Sequence, residues 1–213
     1  MEDNSNRTSA MVINIGRQIG SGGREIAQIL AERLGCDFYD RRILNIAARE
    51  SGFDESVFEQ IDEKKGLLRS LFHLHTPFVG DDNFYTNNMS QESLFKFQSD
   101  AIRNAANSHN CVFVGRCADY ILRDYPNAVS VFITADKQQR INRVAQRREC
   151  SNEEAERFIN ESERERARFY NYYTGKIWGH SQSYDLCISS SALGIEGSCD
   201  LIQRYIEMKR QTK

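Results

Sequence analysis

The sequence predicts an α/β fold in which a mostly parallel sheet is covered by helices on both faces. Short apolar runs such as CVFVG and AVSVFI alternate along the chain with segments whose apolar residues recur at helical spacing. Continuous apolar runs of this length are typical of parallel strands, which are buried on both faces. Ligands of such sheets bind outside the carboxyl ends of the strands, so a functional site is expected in the turns there.

Composition and charge are those of one globular domain. The chain has 213 residues, of which 40% are hydrophobic, and a net charge of −2. This balance favours neither nucleic acid nor a membrane as a partner, and no run approaches the roughly 18 apolar residues of a membrane span. Residues 1–10 are predicted to be a disordered lead and residues 11–210 a single domain. Six cysteines without zinc-ligand spacing indicate reduced thiols, so a cytoplasmic protein is expected, and a homo-oligomer is possible.

The first part of the chain is predicted to form strand–helix units. Met11–Ile15 is a short apolar run that ends at a glycine, which indicates a buried strand. Apolar residues at helical spacing then indicate a helix that ends near Gly35, because glycine commonly follows the last helical residue. Cys36–Asp40 is a second short strand, and helices are predicted over Arg41–Glu50 and Asp54–Lys65.

A long irregular segment, Gly66–Ser90, interrupts this alternation. It combines proline, glycine and asparagine with aromatic residues, so it is predicted to be either a functional flap or a plain mobile insertion. A helix over Gln91–Ser108 and a strongly apolar strand, Cys111–Gly115, follow it. The chain then returns to regular alternation.

The last part of the chain repeats the pattern. Apolar runs indicate strands at Ala128–Ile133 and Tyr184–Ser189. The sequence SNEE places a glutamate three residues after Ser151, which is the capping-box pattern that opens a helix. The predicted helices are Ala118–Arg123, Asp136–Arg148, Ser151–Tyr170 and Ile195–Met208.

The turn after the first strand, GRQIGSGGRE, has the composition of a phosphate-binding loop. Glycines permit positive φ, and successive amides at a helix N-terminus form a cradle for anions. The usual motif GxxxxGK[ST] is absent, because glycine and arginine occupy its lysine and hydroxyl positions. The turn is therefore either a phosphate site or a tight structural turn. The predicted phosphate-binding residues are Arg17, Gly20, Ser21, Gly22, Gly23 and Arg24.

Arg24 is the predicted substitute for the missing lysine. A cation in the first turn of a helix is unfavourable unless an anion lies nearby, and arginine can fork onto two phosphate oxygens. The alternative is a surface arginine that pairs with Glu25. Ser21 is the one hydroxyl in the turn that could reach a magnesium ion.

Two blocks, GRQIGSGGREIAQILAERLGCDFYDRRIL and NCVFVGRCADYIL, together resemble the bacterial cytidylate kinase-like family, which is related to the nucleoside monophosphate kinases of the P-loop superfamily. The similarity extends from about Met11 to Met208. It implies a three-layer fold with a five-stranded parallel sheet, an acceptor-binding insertion over 53–108 and a helical lid over 136–182. It also implies ATP and Mg²⁺ as cofactors and a nucleoside monophosphate or other small phosphorylated substrate. Cytidylate kinases keep the loop lysine and the following hydroxyl residue, whereas this chain has neither.

Charged residues at two further strand ends match acceptor-binding positions of that family. VGRCAD resembles the GRD segment of cytidylate kinases, whose arginine contacts the acceptor, which implies this role for Arg116. Cys117 occupies the aspartate position, so Asp119 either compensates from the next turn or caps the short helix. Asp40 is expected to orient an acceptor hydroxyl, to hold hydrated Mg²⁺ or to cap a helix. Arg41 is a candidate for the acceptor phosphate.

Arginines of the predicted lid are the remaining candidates. Arg147 lies on a basic helix, and Arg164 and Arg168 share one face of the next helix by i,i+4 spacing. In the kinases that the chain resembles, lid arginines close on the transferring phosphoryl group, and phosphoryl transfer depends on such positioned charge. The alternative is a solvated helix laced with salt bridges. The predicted catalytic residues are Arg24, Asp40, Arg147, Arg164 and Arg168.

Two functions follow from these observations. The first is an ATP-dependent kinase that transfers a phosphoryl group to a nucleoside monophosphate, cytidylate-like, or to another small acceptor. The second is a catalytically degenerate protein that binds a nucleotide or another anion. The missing lysine and hydroxyl favour the second, and the charges retained at several strand ends favour the first.

Overall fold

The computed structural model describes residues 10–40 and 91–211. The chain divides into two compact units, one formed by Met1–Asp40 with Arg103–Lys213 and the other by Arg41–Ile102. The predicted helices Arg41–Glu50 and Asp54–Lys65 and the predicted flap Gly66–Ser90 lie outside the described residues. So does the predicted lead up to residue 9.

The strands of the described residues form one five-stranded parallel sheet, as predicted. Its order is β2-β3-β1-β4-β5, so the first strand lies in the centre. The strands are β1 (Val12–Arg17), β2 (Asp37–Tyr39), β3 (Cys111–Val114), β4 (Ala128–Thr134) and β5 (Leu186–Ser189). Because β2, β3 and β1 are neighbours and parallel, the residues that follow them meet at one edge of the sheet.

Helices flank the strands in the alternation that the sequence predicts. Numbered within the described residues, they are α1 (Gly23–Leu34), α2 (Gln91–Ser108), α3 (Ala118–Ile121), α4 (Lys137–Arg148), α5 (Asn152–Thr174) and α6 (Ser190–Gln211). A short 3₁₀ helix, Ser181–Ser183, precedes β5. Residues 91–102 of α2 belong to the second unit. Across residues 10–40 and 91–211, no helix combines the length and apolarity that a membrane crossing requires.

Apolar side chains on one face of the sheet form the main core with α1 and α6. Ile26 and Leu30 of α1 and Ile202 of α6 are fully buried in a cluster with Ile13 and Val131 of the sheet. Burial of one such side chain stabilises the fold by about 1.5–3 kcal/mol. This packing fixes α1, and with it the glycine turn that precedes the helix, against the centre of the sheet.

The ends of α5 and α6 show where local sequence decides a boundary. The capping box is confirmed, since the Ser151 hydroxyl accepts from the Glu154 amide at 3.2 Å and the Glu154 carboxylate accepts from the Ser151 amide at 2.9 Å. The predicted end at Tyr170 is wrong, because the helix continues to Gly175, which adopts φ 67°. Helix α6 begins five residues earlier than Ile195, with a non-helical break at Gly194 inside it.

Candidate functional site

The glycine turn lies between β1 and α1, packed against helices of the lid region and against α6. Gly20 and Gly22 adopt φ of 78° and 79°, which L side chains rarely reach. A Cβ on Gly20 would lie 2.7 Å from the Arg140 carbonyl oxygen, and one on Gly22 would lie 2.4 Å from Ile195 Cδ1. Among the described residues, the amides of Gly20, Gly22 and Arg24 have no hydrogen-bond acceptor. These amides are open to an anion.

The hydroxyl of Ser21 is used within the turn. Ser21 is fully buried, and its Oγ donates to the Gln18 carbonyl at 2.9 Å and accepts from the Gly23 amide at 3.4 Å. These bonds hold the turn closed on itself. The side chain of Ser21 therefore stabilises the turn, and a magnesium ligand has to come from elsewhere.

The side chain of Arg24 is directed away from the turn, toward the end of β2. Its Nε donates to Asp40 Oδ2 at 2.8 Å, and its guanidinium lies 5.6 Å from the centre of the Phe38 ring. Arg24 is thus paired with the carboxylate that follows β2 rather than with Glu25. The side chain of Arg24 is 57% exposed and that of Asp40 23%, so this pair is a screened surface contact.

Arg17 lies at the carboxyl end of β1, and its partly buried side chain crosses to the end of β3. A Cβ on Gly23 would lie 2.5 Å from Arg17 Cβ, and a Cβ on Gly115 would lie 2.2 Å from Arg17 Nη1. Burial lowers the pKa of Arg17, the carboxylate of Asp40 raises it and the charge of Arg24 lowers it. Within the described residues, this guanidinium has no hydrogen-bond acceptor.

Arg166, which is not among the site residues predicted from the sequence, joins the same place from α5. Its Nη1 donates to the Arg17 carbonyl at 3.2 Å. Burial lowers the pKa of Arg166 well below its ordinary value, and the charges of Arg17 and Arg116 lower it further, against Glu163 and Asp40. A signal existed, because Glu163 and Arg166 share one face of α5 by i,i+3 spacing, but the pattern did not reveal that this face meets the turn.

Arg116 follows β3 through an unusual backbone. Gly115, Arg116 and Cys117 have φ of 74°, 61° and 56°, so three successive residues are left-handed. Such conformations cost about 1–3 kcal/mol each for residues other than glycine and cluster at functional sites. The sharp turn brings Arg116 close enough to lower the pKa of Arg166.

Among the described residues, positive charge gathers at this edge of the sheet. The carboxylate of Asp40 pairs with one of four arginines that lie at the ends of β1, β2 and β3: Arg17, Arg24, Arg116 and Arg166. The nearby Glu163 is already paired, since its Oε1 lies 2.7 Å from Arg140 Nη1. We name these four residues the arginine cluster. Guanidiniums stay protonated in proteins, so the cluster is suited to bind a ligand that carries several negative charges.

Both helices of the lid region are hydrogen-bonded to the glycine turn. Glu163 Oε1 accepts from the Ile19 amide at 3.0 Å as well as from Arg140, and Arg143 Nη1 donates to the Gly20 carbonyl at 2.7 Å. These contacts connect α4 and α5 to the backbone of the turn. Helices α4 and α5, which are part of the predicted lid, therefore lie directly against the candidate phosphate site.

The three lid arginines predicted from the sequence lie elsewhere on these helices. Arg147, Arg164 and Arg168 are exposed. Arg164 lines an open depression of about 560 Å³ together with Trp178 and residues of α5. The arginine that reaches the turn from α5 is Arg166. A catalytic role for the three exposed arginines stays a prediction.

Comparison with known proteins assigns the chain to a family. A profile described as the cytidylate kinase-like family matches residues 12–192, which include the glycine turn and the whole arginine cluster. The chain belongs to the cytidylate kinase-like family. The cytidylate kinase of Saccharolobus islandicus strain Y.G.57.14 is 25% identical over 201 residues, 94% of this chain and 93% of that protein. The similarity to this kinase therefore extends over nearly the full length of both proteins.

Solved structures agree with the fold. An uncharacterized protein from Eubacterium ventriosum has a TM-score of 0.70 and 27% identity, and the match covers 92% of this chain and 98% of that one. A shikimate kinase from Bacteroides thetaiotaomicron has a TM-score of 0.52 at 13% identity, with the same coverage. The second likeness concerns the fold alone.

Asp119 of this cytidylate kinase-like protein is held by an aromatic partner. Its carboxylate accepts a hydrogen bond of 2.6 Å from the Tyr170 hydroxyl, which ties α3 to α5. Burial raises the pKa of Asp119, and the bond from Tyr170 and the charge of Lys176 only partly oppose this. The proximity of Asp119 and burial also raise the pKa of Tyr170. Acceptor binding by Asp119 stays a prediction, and Arg41 lies outside the described residues.

The donor set at the cluster does not fit a resident metal ion. The described residues contain no group of three His, Cys, Asp or Glu side chains that could hold one. Asp40 already accepts from Arg24, and the hydroxyl of Ser21 is engaged inside the turn. A magnesium ion in this site would therefore depend mainly on ligands that arrive with it, such as phosphate oxygens and water.

Proposed function

We propose that this protein transfers the γ-phosphoryl group of ATP to a nucleoside monophosphate of the cytidylate type or to another small phosphorylated acceptor. The observation that carries the proposal is the arginine cluster at the ends of three adjacent strands, beside a glycine turn with open amides. Membership of a family that resembles nucleoside monophosphate kinases supports it. Both substrates are polyanions, and the cluster supplies the matching charge.

The reaction requires positioning and charge rather than a covalent intermediate. The amides of Gly20, Gly22 and Arg24 would bind donor phosphate oxygens at the N-terminus of α1. The bond between the γ-phosphorus and the β,γ-bridging oxygen breaks, and a new bond forms to a phosphate oxygen of the acceptor, which leaves ADP. A dianionic acceptor has no proton to lose in this step. The arginines stabilise the charge on the transferring oxygens, and ATP is expected to enter as its Mg²⁺ complex.

The acceptor is expected to bind on the β3 side of the cluster. Arg116 lies two residues after the end of β3, and the charges of both Arg17 and Arg116 lower the pKa of Arg166, so the three side chains are close together. Asp119 and Arg41 remain candidates for further acceptor contacts. The exposed Arg147, Arg164 and Arg168 would contribute to transfer only if the lid region rearranges on binding.

A second function is a nucleotide-binding protein without phosphotransfer. The observation that favours it is the pairing of Arg24 with Asp40, which uses the predicted lysine substitute in a contact within the protein. The hydroxyl of Ser21, which lies just before α1, is bonded within the turn. Binding would then survive through the open amides and the remaining arginines.

One panel of assays separates the two functions. ADP production from ATP and Mg²⁺ is measured with each nucleoside monophosphate and with small phosphorylated metabolites, and Arg116→Ala is compared with Arg123→Ala. Arg123 is a suitable control because it lies in the same segment but stacks on Tyr120 at 4.4 Å, on the surface. Kinase activity predicts turnover that Arg116→Ala reduces about 100-fold or more and Arg123→Ala leaves unchanged.

Two results of these assays would count against kinase activity. Absence of turnover with every acceptor, together with thermal stabilisation by ATP, would support the binding function. Absence of both turnover and stabilisation by any nucleotide would contradict both functions.

A further inference from the structure

We infer that Arg17, rather than Arg24, supplies the positive charge at the phosphates that a lysine supplies in the usual P-loop. This inference rests on the proposed function, because it names the residue that contacts the donor. It also makes Arg24 a positioning residue. Four features of the structure carry it: the partners of Arg24, the path of Arg17, the place where the Arg17 guanidinium ends, and its lack of a hydrogen-bond acceptor among the described residues.

Arg24 is turned away from the place where phosphates would bind. Its guanidinium is held by Asp40 at 2.8 Å and lies over the ring of Phe38, both of which belong to β2 or directly follow it. To reach the turn, Arg24 would have to leave its carboxylate partner. Its exposed position also makes the charge weak, since solvent screens it.

The side chain of Arg17 passes close to two glycines, Gly23 and Gly115, that are far apart in the sequence. Its Cβ and Cγ pass over Gly23, where an added Cβ would lie 2.5 and 3.1 Å from them. Its Nη1 ends beside Gly115, where an added Cβ would lie 2.2 Å away. Gly23 aligns with the lysine of the usual motif. The side chain of Arg17 occupies the space that a side chain at Gly23 would fill. A side chain at Gly23 would collide with the stem of Arg17, and one at Gly115 would displace its guanidinium.

The guanidinium of Arg17 ends between the two halves of the candidate site. Gly115 immediately precedes Arg116, the predicted acceptor ligand, and Arg17 itself begins the donor turn. β1 and β3 are adjacent, with Ile15 paired to Val114, so this position bridges the two strand ends. A group placed there can contact a phosphoryl group that moves from one side to the other. Its planar fork can bind two oxygens at once.

Arg17 is also a cation whose partners are incomplete. Arg17 is partly buried, and its guanidinium lacks a hydrogen-bond acceptor among the described residues. The backbone carbonyl of Arg17 is fixed by Arg166 at 3.2 Å, which holds the start of the side chain in place. Burial without an acceptor is costly for a charged group, and a phosphate would offset that cost. Asp40, shared with Arg24, modulates the charge but does not bond to Arg17.

The test compares Arg17→Gln with Arg24→Gln, two changes that remove the same charge from neighbouring places. Binding is measured first with inorganic tripolyphosphate alone, by thermal shift and calorimetry, and then with ATP. Arg17→Gln is expected to weaken tripolyphosphate binding about 10- to 100-fold, the range for a lost charge-assisted hydrogen bond, and Arg24→Gln no more than about 3-fold. If phosphotransfer is present, kcat is expected to fall more in Arg17→Gln than in Arg24→Gln.

A third variant, Arg17→Lys, keeps the charge but loses the fork. We expect it to bind tripolyphosphate more tightly than Arg17→Gln and more weakly than the unmodified protein. It also serves if Arg17→Gln does not fold, because Arg17→Lys leaves a cation in the buried position. In that case a larger loss of tripolyphosphate binding in Arg17→Lys than in Arg24→Gln supports the inference.

The result that overturns the inference is equal or greater loss of tripolyphosphate binding in Arg24→Gln than in the Arg17 variants. Failure of the proposed function gives a different result. A protein without turnover can still bind tripolyphosphate, and the comparison of Arg17 with Arg24 is then read from binding alone. A protein that does not bind tripolyphosphate at all contradicts the inference directly.

Discussion

Replacing Gly115 with alanine tests whether the position of the Arg17 side chain matters, without altering any charge. An added Cβ would lie 2.2 Å from Arg17 Nη1, whereas ordinary van der Waals contact begins at 3.4 Å, so the guanidinium has to move by 1.2 Å or more. The contact is with the far end of a flexible side chain, so the fold can yield. A misplacement of about 1 Å in a catalytic group can lower the rate about 100-fold.

The backbone contributes a separate cost that needs its own control. Gly115 has φ 74°, and a left-handed residue other than glycine costs about 1–2 kcal/mol. Gly175 has φ 67° but no atom within 4 Å of an added Cβ, so Gly175→Ala carries similar backbone strain without the clash. For a domain of this size, each substitution is expected to lower Tm by about 2–8 °C.

The assay compares the two alanine variants at a temperature where both are folded. Gly115→Ala is expected to lower tripolyphosphate affinity about 10-fold or more, and any kinase kcat by up to about 100-fold, while Gly175→Ala matches the unmodified protein in both. Equal affinity and equal turnover in the two variants would refute the reasoning. It would mean that the crossing of Arg17 beside Gly115 has no part in ligand binding.

Three further changes test the supporting structure. Asp119→Asn should remove one pH-dependent contribution to stability. Burial raises the folded pKa of Asp119 above its ordinary 3.8, so the contribution of this group to the free energy of unfolding falls as pH rises from about 4 through that folded pKa. In urea titrations at about pH 4 and about pH 7, the variant should therefore gain stability relative to the unmodified protein at the higher pH, and a constant difference would contradict this. Ser151→Ala should lower the free energy of unfolding by about 1 kcal/mol through loss of the helix cap, a value that urea denaturation can measure and that an unchanged midpoint would contradict. Glu163→Ala should cost about 3–5 kcal/mol in the same assay, because it leaves the buried Arg140 without its carboxylate, and a loss below about 1 kcal/mol would show that water replaces that carboxylate.

Periodicity was sufficient to predict most of the described fold. The apolar runs around Ile13, Val112 and Val131 are buried in the sheet because each is short, continuous and followed by a turn. The ends of helices were less predictable where no glycine or proline marks them. Helix α5 passes Tyr170 because the residues after it tolerate a helix until Gly175 adopts a left-handed conformation.

The position of the candidate site was predictable from the sequence, but the pairing of its side chains was not. Strand ends identified the turn, Asp40 and Arg116 as neighbours, since parallel strands present their carboxyl ends at one edge. Which arginine faces which group depends on long-range packing that a local pattern does not contain. Arg24 pairs with Asp40 from another strand, and Arg166 reaches the turn from a helix about 150 residues away along the chain.

The double attachment of α5 to the turn sets a constraint on helix length. Glu163 holds the Ile19 amide, and Arg166, less than one turn later, holds the Arg17 carbonyl. Each residue advances a helix by about 1.5 Å and rotates it by about 100°, so one deletion between Ser151 and Glu163 would turn both side chains away from the loop. Substitutions on the outer face of this segment should be tolerated far better than any change in its residue count. The number of residues from the Ser151 cap to Glu163 thus sets the rotation of α5 relative to the glycine turn.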